Sequence, residues 1–185
     1  MQRVFIGIPV DTLAQQQING LLTPQKNSNP GIRWVPEHNR HLTLAFLGKQ
    51  PAGVIEYLFR SMDLAYQQET AFKTGYSTLG RFPSSSGNII ALVYQPDESL
   101  ARLFQLTQEI LTENRLGFDH RPLRPHITLG RISKPANLKN TFNQSTNIRL
   151  QVDRIVLYQS TLTDAGSIYL ALKETELGRT GDHPV

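Results

Sequence analysis

The sequence contains no cysteine, which excludes disulfides and thiolate-bound metals and suits a reducing compartment. Long hydrophobic runs are also missing. The opening stretch from Met1 to Val10 is broken by Pro9 and followed by Asp11. That is too short for a signal-peptide core and has no small-residue cleavage site. No run reaches the ~20 apolar residues a membrane helix needs, so a cytoplasmic location is expected. Charge is modest, at 18% of residues, with 19 Lys and Arg against 15 Asp and Glu. The net +4 favours polyanions through counterion release, but equally suits a solvated surface that happens to be basic. With 39% apolar residues in 185, the chain is long enough to bury a core without staples.

Periodicity divides the chain into two similar runs. Residues 3–8 read as a buried strand, and Asp11 as the N-cap of a helix to about Leu22. A loop rich in Pro, Asn, Ser and Gly over 23–31 leads to an alternating strand from Arg40 to Leu47. A helix over about 52–68, a strand over 72–79 and a turn at Pro83–Gly87 complete the first run. The second begins with a strand at Ile89–Tyr94, then a helix opened by Pro96-Asp97 and reaching Asn114. A short strand follows at His126–Ile132, a loop at Lys134–Asn137, and a hairpin from 148–158 and 167–173 turning near Asp164–Gly166. Gly178 to Val185 reads as a frayed tail. A shift of 85 residues lays Val4-Phe5-Ile6 on Ile89-Ile90-Ala91, and His41-Leu-Thr-Leu44 on His126-Ile-Thr-Leu129. The expected fold is therefore α+β: one duplicated, two-lobed domain over 1–178, each lobe an antiparallel sheet with helices outside, and a cleft between the lobes.

The repeated His-x-Thr-Leu carries chemistry. Strand side chains alternate, so His41 and Thr43 share one face, with Leu42 and Leu44 on the other. The same holds for His126 and Thr128. One copy would mean little. With 5 histidines in the chain, two copies arise by chance with a probability on the order of 10⁻³, and their matching places in the repeat lower it further. Two imidazoles facing across a two-fold axis can serve as base and acid, because their pKa lies near working pH.

These features resemble the two-histidine phosphoesterases, and in particular their RNA 2′,3′-cyclic phosphodiesterase (2′-5′ RNA ligase) branch. The flanks Arg33-Trp-Val-Pro36, Phe46-Leu-Gly48, Arg124-Pro125, Leu79–Pro83 and Leu157–Ser160, with Gly166 and Tyr169, are similar too, so the likeness spans roughly residues 3–177. It implies hydrolysis of a terminal 2′,3′-cyclic phosphate to a 2′-phosphate, with no metal or other cofactor and with reversible ligation as a second activity. It further implies His41 as proton donor, His126 as proton acceptor, and Thr43, Thr128 and Arg131 as phosphate-binding residues. Strict alternation puts Arg131 on the wrong face, unless a bulge near Gly130 turns it round.

Other residues are weaker candidates. Phe5 and Trp34 can stack on a base or belong to the core. Arg40, Arg81, Arg121 and Arg124 can line an RNA path or sit idle on the surface. His120 with Asp119 suggests a metal, but no further ligand has sensible spacing. His38 and His183 read as solvated loop residues. The expected partners are RNA with cyclic phosphate ends, or cyclic nucleotides, bound by a monomer that needs no membrane. Two alternatives stay open: a phosphoesterase acting on small cyclic nucleotides or 2′-5′ linkages, and a module that holds RNA ends without turning them over.

Overall fold

The computed structural model describes residues 1–119, 121–133, 142–164 and 166–178. The Lys134–Asn137 loop, Ala165 of the hairpin turn and the tail 179–185 lie outside the described residues, as do His120 and His183.

The first run gives strand β1 (Gln2–Pro9), helix α1 (Thr12–Ser28), strands β2 (Ile32–Trp34) and β3 (His41–Gln50), helix α2 (Ala52–Tyr66), and strands β4 (Phe72–Lys73) and β5 (Ser77–Phe82). The second gives β6 (Ile89–Tyr94), α3 (Glu98–Glu113), β7 (His126–Ile132), β8 (Asn143–Thr146), β9 (Gln151–Val152), β10 (Arg154–Thr163) and β11 (Gly166–Glu176). Asp11 and Asp97 cap α1 and α3 by accepting from the backbone N–H of Ala14 and Leu100. Capping carboxylates satisfy a helix donor that would otherwise be orphaned.

Most strands pair into one large sheet in the order β11-β10-β1-β3-β7-β6-β5-β8, and β2 pairs alongside β7. The lobes are not the two halves of the sequence. β10, from the second half, pairs with β1, and β5, from the first half, pairs with β6. The first half thus lends its last strand, β5, to the other lobe, and the second half lends the β10–β11 hairpin. The lobes meet where β3 runs antiparallel to β7, with Leu42 opposite Ile127. Behind this junction the core is continuous, taking in Ile6, Leu42, Leu44, Ile127, Leu129 and the buried faces of all three helices. Each such side chain withdrawn from water contributes about 1.5–3 kcal/mol.

Four details depart from the sequence reading. α1 runs to Ser28 instead of ending near Leu22, despite Pro24 inside it. Its last turn is tied down by buried Asn29, whose backbone N–H and side-chain Nδ2 both donate to the carbonyl of Gln25. The strand expected over 72–79 is two, because Phe72–Lys73 pairs with Gln151–Val152 in a separate small sheet. The same pairing breaks the strand expected over 148–158. Gly178 is not frayed: its N–H donates to Glu69 and its carbonyl accepts from Ala71.

Candidate active site

β3 and β7 build the site between them. With Leu42 opposite Ile127, antiparallel register sets His41 beside Thr128 and Thr43 beside His126. The outward faces of the two strands therefore present an imidazole and a hydroxyl from each lobe as a square. The diagonal between the histidine backbones is on the order of 8 Å, from strand spacing and rise. All four side chains line a cleft of about 510 Å³.

Both strands carry the same irregularity just beyond the motif. On β7, Thr128 pairs with Ala91 but Ile90 pairs with Gly130, so Leu129 is an extra residue. On β3, Gly7 pairs with Thr43 and Ile6 with Ala45, leaving Leu44 extra. Such a bulge reverses the alternation. Leu129 and Gly130 are both buried, and Arg131 emerges on the cleft face with His126 and Thr128. Phe46 emerges at the matching place in the first lobe. Gly130 is required here. A Cβ on it would stand 2.6 Å from Ile32 Cγ2 and 3.0 Å from Trp34 Cε3, side-chain atoms of the paired strand β2 that close over it.

Each imidazole is held the same way. Nδ1 of His41 lies 2.8 Å from the carbonyl oxygen of Asn39, and Nδ1 of His126 lies 2.8 Å from that of Arg124. A carbonyl only accepts, so Nδ1 carries the proton and Nε2 is left for the cleft. The ring surroundings differ. His41 lies tilted against Phe5 at 4.6 Å between centroids and meets the edge of Tyr169 at 5.1 Å. His126 stacks on Phe82 at 3.9 Å, and Arg124 sits over the same Phe82 ring. Burial in this aromatic cage lowers the His41 pKa to about 4, assisted by the nearby His126 and opposed by the Asn39 carbonyl. His126 is also lowered, mainly by burial and further by Arg124 and Arg131.

Arg40 is buried, not on an RNA path. Its Nη1 donates to Gln15 at 2.8 Å and to Asn19 at 2.9 Å, both on α1. It thereby fixes the turn whose Asn39 carbonyl orients His41. Burial lowers the Arg40 pKa, and Glu37 opposes this. Arg81 braces the 83–87 turn through the carbonyls of Gly87 and Ser86, and Arg121 pairs with Asp119. Phe5 is 2% exposed, a wall of the His41 cage rather than a platform for a base. Trp34 and His38 do line the cleft, so His38 is exposed but not remote from the site. Among the described residues, no three His, Cys, Asp or Glu come together as a metal-binding group, and no helix is long and apolar enough to cross a membrane.

Sequence reasoning missed the cages. Tyr158, Tyr169 and Phe82 stand in flanks similar to the family's but carry no role there, and only the pairing of distant strands brings them to the histidines. Thr163, Ser167 and Ile168 of the β10–β11 hairpin also reach the cleft rim without any local signal.

A duplicated α+β domain with two imidazole–hydroxyl pairs facing one cleft has the layout of a two-histidine phosphoesterase. Comparison with known proteins narrows this. The family model "LigT like Phosphoesterase" matches residues 8–91 and again 90–169, and the chain belongs to that family. An RNA 2′,3′-cyclic phosphodiesterase of Thermotoga maritima is 27% identical over 178 residues, covering 94% of this chain and 95% of the relative. One of Thermus thermophilus is 30% identical over 173 residues, covering 88% and 84%. The crystal structure of E. coli LigT complexed with 3′-AMP superposes with a TM-score of 0.77 at 26% identity, covering 95% of this chain and 98% of that one.

Proposed function

We propose that the protein hydrolyses the 2′,3′-cyclic phosphate at RNA ends to a 2′-phosphate by metal-independent acid–base catalysis. The observation that carries this reading is the square of His41, Thr128, His126 and Thr43 on one face of the β3–β7 junction. Opening a cyclic phosphodiester needs in-line attack, with a base on the water side and an acid on the leaving-oxygen side. His126 acts as the base and His41 as the acid beside the departing 3′ oxygen. Thr43 and Thr128 donate to the non-bridging oxygens as these gain charge, and Arg131 balances that charge.

The acid role must be reconciled with the low pKa of His41 (about 4), which leaves the ring neutral in the empty cleft at pH 7. The ring therefore takes up a proton from solvent as the substrate binds, because the phosphate's negative charge between the rings favours an imidazolium. The names of the Thermotoga and Thermus relatives support RNA as the substrate. The 3′-AMP complex of E. coli LigT favours a second reading, in which the cleft also serves mononucleotides. Reversible 2′-5′ ligation follows from the same chemistry, with an RNA hydroxyl in place of water. A pure RNA-end-binding module is disfavoured, because binding alone needs no acid and base. We further read residues 1–178 as one catalytic unit acting as a cytoplasmic monomer.

The test is incubation with an oligonucleotide ending in 2′,3′-cyclic phosphate, followed by chromatography and phosphorus NMR. Ring opening to a 2′-phosphate is expected. A 3′-phosphate product reverses the orientation, and no opening of any cyclic phosphate overturns the reading.

A further inference from the structure

The cleft continues past the histidines. Beyond Arg131 it joins a second pocket of about 470 Å³, and Arg33, Ile89 and Arg131 line both. Arg33 on β2 lies directly opposite Arg131 on β7. Directly opposed residues of an antiparallel pair share a face with their Cβ atoms close together, and like charges there repel. Both side chains are exposed. Neither guanidinium has a hydrogen bond or ion pair among the described residues, whereas those of Arg102, Arg121 and Arg154 each pair with a carboxylate. Among the described residues, no Asp or Glu lines either pocket. Two adjacent unneutralised guanidiniums in an acid-free hollow form a site for anionic oxygen, the group their fork geometry fits.

The position of the pair defines the ligand. Arg131 stands one bulge away from Thr128 and so beside the reacting phosphate, while Arg33 stands one strand further out. A mononucleotide 2′,3′-cyclic phosphate has a single phosphate to offer. An RNA strand offers another at the 5′ side of its terminal nucleoside. We infer that Arg33 is a specificity residue that binds the internucleotide phosphate preceding the cyclic end, so that the protein favours an RNA chain over a mononucleotide. This inference rests on the cyclic-phosphate reading of the site.

The experiment compares wild type, Arg33→Gln and Arg33→Lys on three substrates. These are a cyclic mononucleotide, a dinucleotide with a cyclic end, and the same dinucleotide with a neutral methylphosphonate linkage. Wild type should prefer the charged dinucleotide. Arg33→Gln should reduce that preference, the ratio of the two kcat/KM values, about tenfold, the usual effect of one charge-assisted contact. Arg33→Lys should restore part of it. The salt dependence of log kcat/KM on the dinucleotide should flatten by roughly 0.7, one phosphate contact on a single strand. The methylphosphonate substrate should not respond to Arg33. Equal losses on all three substrates, or an unmoved preference, overturn the inference. Titration of the same variants with the dinucleotide 2′-phosphate product separates the two readings. Arg33-dependent binding without any turnover sinks the hydrolytic reading and leaves the phosphate anchor. Turnover with Arg33-independent binding does the reverse.

Discussion

Leu42 lies directly opposite Ile127, both fully buried, where the two lobes of the sheet join. One step along either strand from this pair, the side chains turn outward and an imidazole of one lobe stands beside a hydroxyl of the other. The histidines are therefore not each served by the threonine of their own motif alone.

Replacement of His41 or His126 by Ala should reduce cyclic phosphate opening by at least about 10²-fold, the usual contribution of one acid or base. Thr43→Ala and Thr128→Ala should cost less, since one neutral donor is lost while both proton transfers survive. Single-turnover rates on a cyclic oligonucleotide measure this. A folded histidine variant with near wild-type rate sinks the assignment.

The pH profile of kcat/KM should be bell-shaped and centred on the acid side. It reports the free protein, in which one ring must be neutral and the other protonated. His41 titrates near 4 and His126 below its ordinary 6.5, so both limbs fall below pH 6.5. Bound phosphate raises both, and the kcat profile should lie at higher pH than that of kcat/KM. The limbs belong to the coupled pair rather than to either ring. The same profile should survive EDTA. Loss of activity that zinc or magnesium restores contradicts metal-independent catalysis.

His41 also links stability to pH. Its folded pKa is depressed from 6.5 to about 4, so the unfolded chain takes up the proton first. The stability held above pH 6.5 is lost as pH falls through that window to about 4. The loss is on the order of 3 kcal/mol, at about 1.4 kcal/mol per pKa unit. Urea titrations at pH 7 and pH 4.5 should show a smaller difference for His41→Gln than for wild type. An equal difference shows that the ring is not caged as described.

Gly130→Ala should destabilise by about 1–3 kcal/mol, as overpacking does, because the new methyl group meets Ile32 and the Trp34 ring. It should also lower activity by shifting Arg131 out of the cleft. Chemical denaturation together with kcat/KM checks both effects. A neutral result means that β2 moves aside at no cost.

Much of this is legible in the sequence. The repeated His-x-Thr-Leu and the 85-residue shift placed His41 and His126 on matching strands of the two halves, because alternation and duplication are both written in local sequence. The turn of Arg131 into the cleft required a bulge, and only Gly130 hinted at one. The aromatic cages and the opposed arginines were not legible. They depend on which distant strands lie side by side, and nothing in Arg33-Trp34 says that Arg131 will be its neighbour. Helix α1 outruns the loop expected over the Pro-, Asn-, Ser- and Gly-rich 23–31 segment, and its last turn is held by the buried side chain of Asn29, a contact that composition does not reveal.

The exchange of β5 and β10 between lobes has a consequence for cutting the chain. A break in the 83–87 turn, at the boundary of the repeat, does not release two free-standing modules. It yields one fragment lacking the strand that flanks β1 and another lacking the strand that flanks β6. Neither piece can close its own sheet, and each holds the edge the other needs. Co-expressed, the fragments should be soluble only as an interlocked heterodimer, a split protein whose reassembly restores the cleft.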